Sequence, residues 1–88
     1  MTKELWEQDW RNNGQESYLF EALLSYKKYK APTASWLHDH CVFCWATISE
    51  DGKGDLHEAY ATLDDYWWIC PECYNDLKEI FGWSVVSR

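Results

Sequence analysis

The four cysteines of this chain form two pairs with the same spacing, Cys41-Val-Phe-Cys44 and Cys70-Pro-Glu-Cys73. A two-residue spacer lets one tight turn point two sulfur atoms at a single ion, and zinc binds four ligands in a tetrahedron. The two pairs therefore predict one structural zinc ion held by all four thiolates. Four buried thiols, two disulfides or an iron–sulfur cluster are the alternatives, and the cysteines of such clusters are usually grouped more closely along the chain.

A zinc ion inside four cysteines has no open position for water or substrate, so this shell would be structural and not catalytic. The sequence also lacks the His-x-Glu motif of a zinc deaminase, a nucleophile motif and a phosphate-binding glycine loop. We expect no enzymatic activity and no catalytic residue. His38 and His40 lie close enough to Cys41 to replace a cysteine or bind a second ion, but we expect them at the surface or hydrogen-bonded near a sulfur.

Residues 45–69 separate the two pairs and are rich in strand and turn formers. The acidic, glycine-containing stretch at 50–55 and the pair Asp64-Asp65 predict two turns. Three short strands fit around these turns, at Trp45–Ser49, Leu56–Leu63 and Tyr66–Ile69. We therefore expect a short antiparallel meander between the cysteine pairs.

The second cysteine pair is expected on the first turn of a C-terminal helix. Pro71 has no backbone N–H and its fixed φ suits the first helical position. Leu77, Ile80 and Phe81 then share one helical face, and Gly82 is a typical stop signal. A helix N-terminus also favours a thiolate through its free N–H groups and its dipole.

The N-terminal part of the chain predicts a helix at Lys3–Arg11, with Leu5, Trp6 and Trp10 on one side. Asn12-Asn13-Gly14 offers a stop for it. From Glu16 to Tyr29 the apolar pattern fits both a helix and a strand, and we expect a helix that gives way to extended chain. Pro32 ends that element because it excludes helical geometry at the residue before it.

These elements predict a small α+β protein that folds as one zinc-stabilised domain over residues 1–88. The zinc-finger core would span 41–83, and the N-terminal helical and extended segment, 1–40, would pack on it. A chain of 88 residues is in the size range where the hydrophobic core alone is marginal and a metal or disulfide commonly supplements it.

The order of a cysteine turn, a β-hairpin and two cysteines on the opening turn of a helix resembles treble-clef zinc fingers. The resemblance covers residues 41–83 and implies a fold and a metal, but no single function. Zinc ribbons are the alternative architecture, and in them the second pair lies on a hairpin.

Two longer blocks, Asp39-His40-Cys41-Val-Phe-Cys44-Trp45 and Trp67-Trp68-Ile69-Cys70-Pro-Glu-Cys73, are similar to those of small bacterial proteins with no established activity. Some small bacterial proteins of this kind act as antitoxins or immunity proteins. The resemblance therefore favours an inhibitory role toward another protein but does not fix the function.

The formal net charge is −7 at pH 7, and a zinc ion with four thiolates would make it more negative still. Such a surface repels phosphate backbones and favours a basic protein partner. The small basic cluster Lys27, Lys28 and Lys30 does not offset this charge. We see no signal peptide and no membrane-spanning run, and expect a cytoplasmic protein with reduced thiols.

Acidic and aromatic residues around the two turns are the candidate partner-binding surface. Aromatic side chains are enriched at binding hot spots, and on a strand only one of the adjacent Trp67 and Trp68 can readily join the core. The candidates are Asp51, Asp64, Asp65, Tyr66 and Trp68. Alternatively, the N-terminal segment covers both tryptophans and the carboxylates only form a solvated face.

Together these features predict a noncatalytic, zinc-stabilised acidic protein-binding module that could neutralise a basic toxin. The alternative is a nucleic-acid-linked zinc-finger accessory factor, since four-cysteine fingers often serve there. The negative charge argues against that alternative.

Overall fold

The structure, a computed structural model, describes residues 1–86. It is a compact α+β fold with a C-terminal helix, as the sequence predicts, but its larger sheet is mixed and not purely antiparallel. The last two residues of the predicted domain lie outside the described part. The helices are α1 (Lys3–Glu7), α2 (Glu16–Leu19) and α3 (Pro71–Phe81). The strands are β1 (Leu23–Lys28), β2 (His38–His40), β3 (Thr47–Ser49), β4 (Glu58–Thr62), β5 (Trp68–Ile69) and β6 (Ser84–Val85).

The strands form two sheets, one with four strands and one with two. The larger sheet has the order β5-β4-β1-β6, in which β1 pairs antiparallel with β4 and parallel with β6. The β1–β4 ladder is the longest, from Leu24 opposite Thr62 to Lys28 opposite Glu58. The smaller sheet is the antiparallel hairpin of β2 and β3.

The prediction of a three-stranded meander is wrong for its first two strands, which do not pair with each other. β4 and β5 are antiparallel neighbours, but β3 pairs with β2, and only an isolated bridge between Ile48 and Leu56 connects β3 toward β4. The reason is that the turn carrying Cys41 and Cys44 folds β2 back onto β3. The hydrogen-bonding edge of β4 is taken instead by β1 from the N-terminal part of the chain.

The N-terminal helix is shorter than predicted, because α1 ends at Glu7. The side chain of Asp9 accepts the backbone N–H of Arg11 at 2.8 Å, so the chain turns there. Of the three apolar residues predicted to share one side of the helix, only Trp6 is buried. The predicted change from helix to extended chain is confirmed by α2 and β1.

The C-terminal helix has both predicted end signals. Cys70 is its N-cap, Pro71 is its first residue, and Gly82 ends it in the left-handed conformation at a φ of 66°. Its buried side consists of Cys73, Leu77 and Phe81, while Ile80 is half-buried. The helix therefore places one cysteine of the second pair at its cap and the other on its inner face.

Aromatic rings fill the main core. Trp6 packs edge-to-face on both Phe43 and Phe81, with ring centroids 5.7 and 5.6 Å apart, and Phe81 stacks on Trp83 at 4.9 Å. Cys41, Cys70 and Cys73 belong to the same buried cluster. The cysteines are thus an edge of the hydrophobic core and not a separate surface site. No helix in residues 1–86 has the length and apolar character needed to cross a membrane.

Candidate metal centre

The four cysteine sulfurs lie together at one end of the core. All four Sγ atoms are within 4.8 Å of one another, and those of Cys44 and Cys70 are 3.6 Å apart. A zinc–sulfur bond of about 2.3 Å gives a tetrahedron whose edges are about 3.8 Å long. The four sulfurs therefore fit the space around a single metal ion.

The first pair sits on the turn between β2 and β3. The N–H of Cys41 donates to the carbonyl of Ala46 and the N–H of Trp45 donates to the carbonyl of Cys41, both at 2.9 Å. The N–H of Phe43 points at the Cys41 sulfur, 3.4 Å away. This turn brings Cys41 and Cys44 to the same side and gives one sulfur a backbone donor.

Trp45 closes this turn in the left-handed conformation, with a φ of 66°. For a residue other than glycine this backbone conformation costs about 1 kcal/mol. Its side chain is 63% exposed, so little burial offsets that cost. The cysteine turn thus imposes a left-handed residue, but nothing in the turn itself requires a tryptophan there.

The second pair sits at the start of α3, as predicted. The N–H of Cys73 donates to the Cys70 sulfur at 3.4 Å, and the N–H of Cys70 donates across the site to the Cys41 sulfur at 3.3 Å. The N–H of Val42 donates to the carbonyl of Trp68 at 2.8 Å, which ties the two cysteine segments together. Backbone N–H groups directed at sulfur favour the thiolate form that a metal requires.

Arg11 is a residue of this site that the sequence analysis missed. Its side chain is buried, and Nη1 donates to the Cys73 sulfur at 3.5 Å and to Asp76 at 3.0 Å. A further contact of 2.8 Å joins Nη2 to Asp9. The hydrogen bond from Arg11 lowers the pKa of Asp9, and the same bond raises the pKa of Arg11. No local signal could have identified Arg11, because 62 positions separate it from Cys73.

The thiols influence one another strongly. Hydrogen bonds from Cys70 and Cys73 lower the pKa of Cys41, and the Cys41 sulfur in turn raises the pKa of both donors. Four thiolates this close together would repel one another, so a cation is needed before all four thiols can ionise. A divalent, thiolate-binding metal meets that need, and tetrahedral sulfur ligands suit zinc or iron.

This geometry bears on the alternatives left open by the sequence. All four cysteines are free thiols, so neither disulfide is present. The group of metal-binding side chains found in residues 1–86 contains the four cysteines and no histidine. The ring of His40 instead contacts those of His38 and Trp45, with centroids 5.0 and 6.1 Å away.

No known protein family, curated protein or solved structure matches this chain. The chain's own geometry gives the order of elements around the sulfurs: the β2–β3 turn, the β4–β5 hairpin and the first turn of α3. Four sulfurs that surround one point leave a bound ion no open coordination position. Such an arrangement can stabilise a fold but does not activate water.

One residue of the predicted partner-binding surface, Trp68, is buried in the structure. Trp68 is only 2% exposed, because its ring packs on Tyr29 and its Nε1 donates to the carbonyl of Asp65 at 3.1 Å. A partner therefore cannot reach it. Its neighbour Trp67 is the more accessible ring, half-buried and stacked on Tyr18 with centroids 4.5 Å apart.

The structure places the remaining predicted surface residues outside the core, but two of them have internal partners. Asp65 forms a 2.8 Å ion pair with Lys27. Asp64 accepts hydrogen bonds from the hydroxyl of Thr62 and the backbone N–H of Tyr66, and the first of these lowers the pKa of Asp64. Asp51 and Tyr66 are exposed. Asp64 and Asp65 thus help to shape the β4–β5 turn, whatever else they contact.

Proposed function

We propose that this protein is a noncatalytic binding module whose fold is stabilised by one structural zinc ion. The observation that carries the proposal is the cluster of four cysteine sulfurs within 4.8 Å of one another. Zinc is the metal we assign because it forms closed, redox-inactive four-cysteine sites of this kind. The order of cysteine turn, hairpin and helix supports a treble-clef-like arrangement over a zinc ribbon.

We infer a basic protein as the partner. The net charge of −7 would speed encounters with a cationic surface, as it does for acidic inhibitors. A metal-stabilised fold also offers a rigid surface, which lowers the entropic cost of association. Neutralisation of a basic toxin in the cytoplasm is the specific form of this proposal. It follows from the resemblance of the two cysteine blocks to small bacterial proteins with no established activity, a kind that includes some antitoxins and immunity proteins.

The alternative function, a nucleic-acid-linked zinc finger, would require a basic surface. The three clustered lysines are its best candidate, but Lys27 already pairs with Asp65. The remaining two positive charges are few against the overall negative charge. The proposal therefore ranks a protein partner first.

Affinity capture from native cell extract, with the zinc-loaded protein as bait, tests this function. Bound protein is identified by mass spectrometry and bound nucleic acid is measured after nuclease treatment of a parallel sample. We expect a basic protein that elutes as salt is raised, and no nuclease-sensitive material. Recovery of heterogeneous RNA or DNA with the same salt dependence would favour the alternative, and a bait of similar size and charge is the control.

A further inference from the structure

A cleft beside the metal centre is lined mainly by aromatic rings. It has a volume of about 170 Å³ and lies between β2, the residue that follows the cysteine turn, and the β4–β5 turn. Its aromatic walls are Trp36, Trp45, Tyr66 and Trp67, its acidic residue is Asp39, and His40 and Val42 complete the lining. The size is that of a pocket for one side chain and not for a large ligand.

The rings of this cleft face in different directions. Trp36 meets Tyr66 at an interplanar angle of 86°, with centroids 6.0 Å apart, and Tyr66 meets Trp67 at 76° and 4.8 Å. The faces of an aromatic ring are electron-rich, and these rings line the cleft at different angles. Such faces attract a cation, and tryptophan does so most strongly.

The carboxylate of Asp39 adds a negative charge to the cleft, which also attracts a cation. Asp39 is half-buried, and it forms no ion pair with any residue in the described part of the chain. One of its carboxylate oxygens accepts the N–H of His40 at 2.8 Å, which fixes the side chain and leaves the second oxygen for a ligand. The cleft thus combines aromatic faces with an unpaired negative charge.

The exposure of these rings is not explained by packing. Trp45 keeps its strained backbone conformation and yet is mostly exposed, and Tyr66 is exposed as well. Strained non-glycine residues are found where function holds them in place. Trp45 at the cysteine turn therefore points to a ligand that uses its ring.

We propose that this cleft binds one arginine side chain of the basic protein partner. The planar guanidinium can stack on the tryptophans while it donates to the carboxylate of Asp39, a combination that an ammonium group matches less well. This inference rests on the proposed function for the source of the arginine. It also replaces the buried Trp68 with Trp36, Trp45 and Trp67 as the aromatic contacts.

The test is an NMR titration of the ¹⁵N-labelled, zinc-loaded protein with the peptide acetyl-Gly-Arg-Gly-amide. The same peptide with citrulline, a neutral near-isostere of arginine, is the matched ligand control. We expect saturable shifts of the indole N–H signals of Trp36, Trp45 and Trp67, no shift of Trp10, and affinity at least tenfold lower for citrulline. Asp39→Asn, which keeps the hydrogen bond to His40, should weaken arginine binding about tenfold.

Trp45→Gly should abolish the titration while Trp10→Gly, an exposed tryptophan outside the cleft, leaves it unchanged. Zinc content and an intact spectrum show that each variant is folded. Equal affinity for arginine and citrulline, equal or tighter binding of the same peptide with lysine in place of arginine, or no saturable shift would overturn the proposal. If the capture experiment recovers a basic protein but the cleft binds no arginine, only the assignment of the cleft is refuted. If the cleft binds arginine but the capture experiment recovers only nucleic acid, the proposed function is refuted.

Discussion

Arg11 connects the N-terminal part of the chain to the metal centre through a single buried guanidinium. It donates at once to Asp9, to Asp76 and to the Cys73 sulfur. A thiolate that receives such a donor is held in position and its negative charge is partly offset. The four cysteines were predictable because the chemistry of zinc fixes their type and spacing, whereas Arg11 reaches the site only through the tertiary fold.

Arg11→Met should lower the zinc affinity by roughly tenfold or more. The substitution keeps an apolar side chain of similar length but removes the donor to Cys73, and it leaves Asp9 without its cation. A competition titration with a zinc chelator measures the affinity. Lys53→Met is the control, since it removes an exposed positive charge that forms no described ion pair and no described hydrogen bond to a cysteine. Equal affinities for both variants would show that the contact of Arg11 with Cys73 does not support the metal.

Trp45→Gly should not destabilise the fold, and we expect a gain of up to about 1 kcal/mol in the free energy of unfolding. Glycine adopts the left-handed conformation without a steric penalty, and the side chain lost is mostly exposed. The greater entropy of glycine in the unfolded chain reduces the gain. Urea denaturation of the zinc-loaded protein measures it, and a loss above about 1 kcal/mol would mean that the Trp45 ring serves as structural packing.

At the scale of the elements, α3 was predicted well because its signals are local. Pro71 begins it, Gly82 ends it, and both effects depend only on the backbone of the residue concerned. The pairing of β3 was predicted wrongly because several partners compete for a strand edge. The sequence shows that β3 and β4 are strands, but their partners, β2 and β1, come from earlier parts of the chain.

Gly82→Ala should destabilise the protein by about 1 kcal/mol. Gly82 ends α3 at a φ of 66°, and an added Cβ would lie 3.5 Å from the side chain of Glu21. The cost is therefore mainly backbone strain and not a clash. Asn75→Ala on the exposed side of the same helix is the control and should be neutral or slightly stabilising. If both variants unfold at the same urea concentration, the helix end does not need its left-handed residue.

At the scale of the whole molecule, the cysteines and the N-terminal segment share one core. Trp6, Leu19 and Leu24 belong to the same buried cluster as Cys41 and Cys73. Loss of the metal would leave four crowded thiols at the edge of that cluster and remove the cross-link between its two cysteine segments. We therefore expect metal binding to stabilise the entire chain and not only residues 41–83.

Cys44→Ser should destabilise the protein by about 4 kcal/mol or more, because the energy of metal binding in such sites is largely folding energy. Near-UV circular dichroism, which reports on the packed tryptophans, should lose its signal at a lower temperature. His57→Ala is the control, since His57 is exposed and the one described hydrogen bond of its side chain is to the carbonyl of Gly52. A stable, fully packed Cys44→Ser variant would contradict a structural role for the metal.

The most direct test of a single four-cysteine zinc site is X-ray absorption at the zinc edge, together with elemental analysis of protein purified without added metal. We expect about one zinc per chain and four sulfur neighbours at about 2.3 Å. The wild-type spectrum should persist in a variant lacking both His38 and His40, because neither histidine belongs to the cysteine cluster. Absence of zinc, iron in its place, or nitrogen neighbours in the first shell would contradict the assignment.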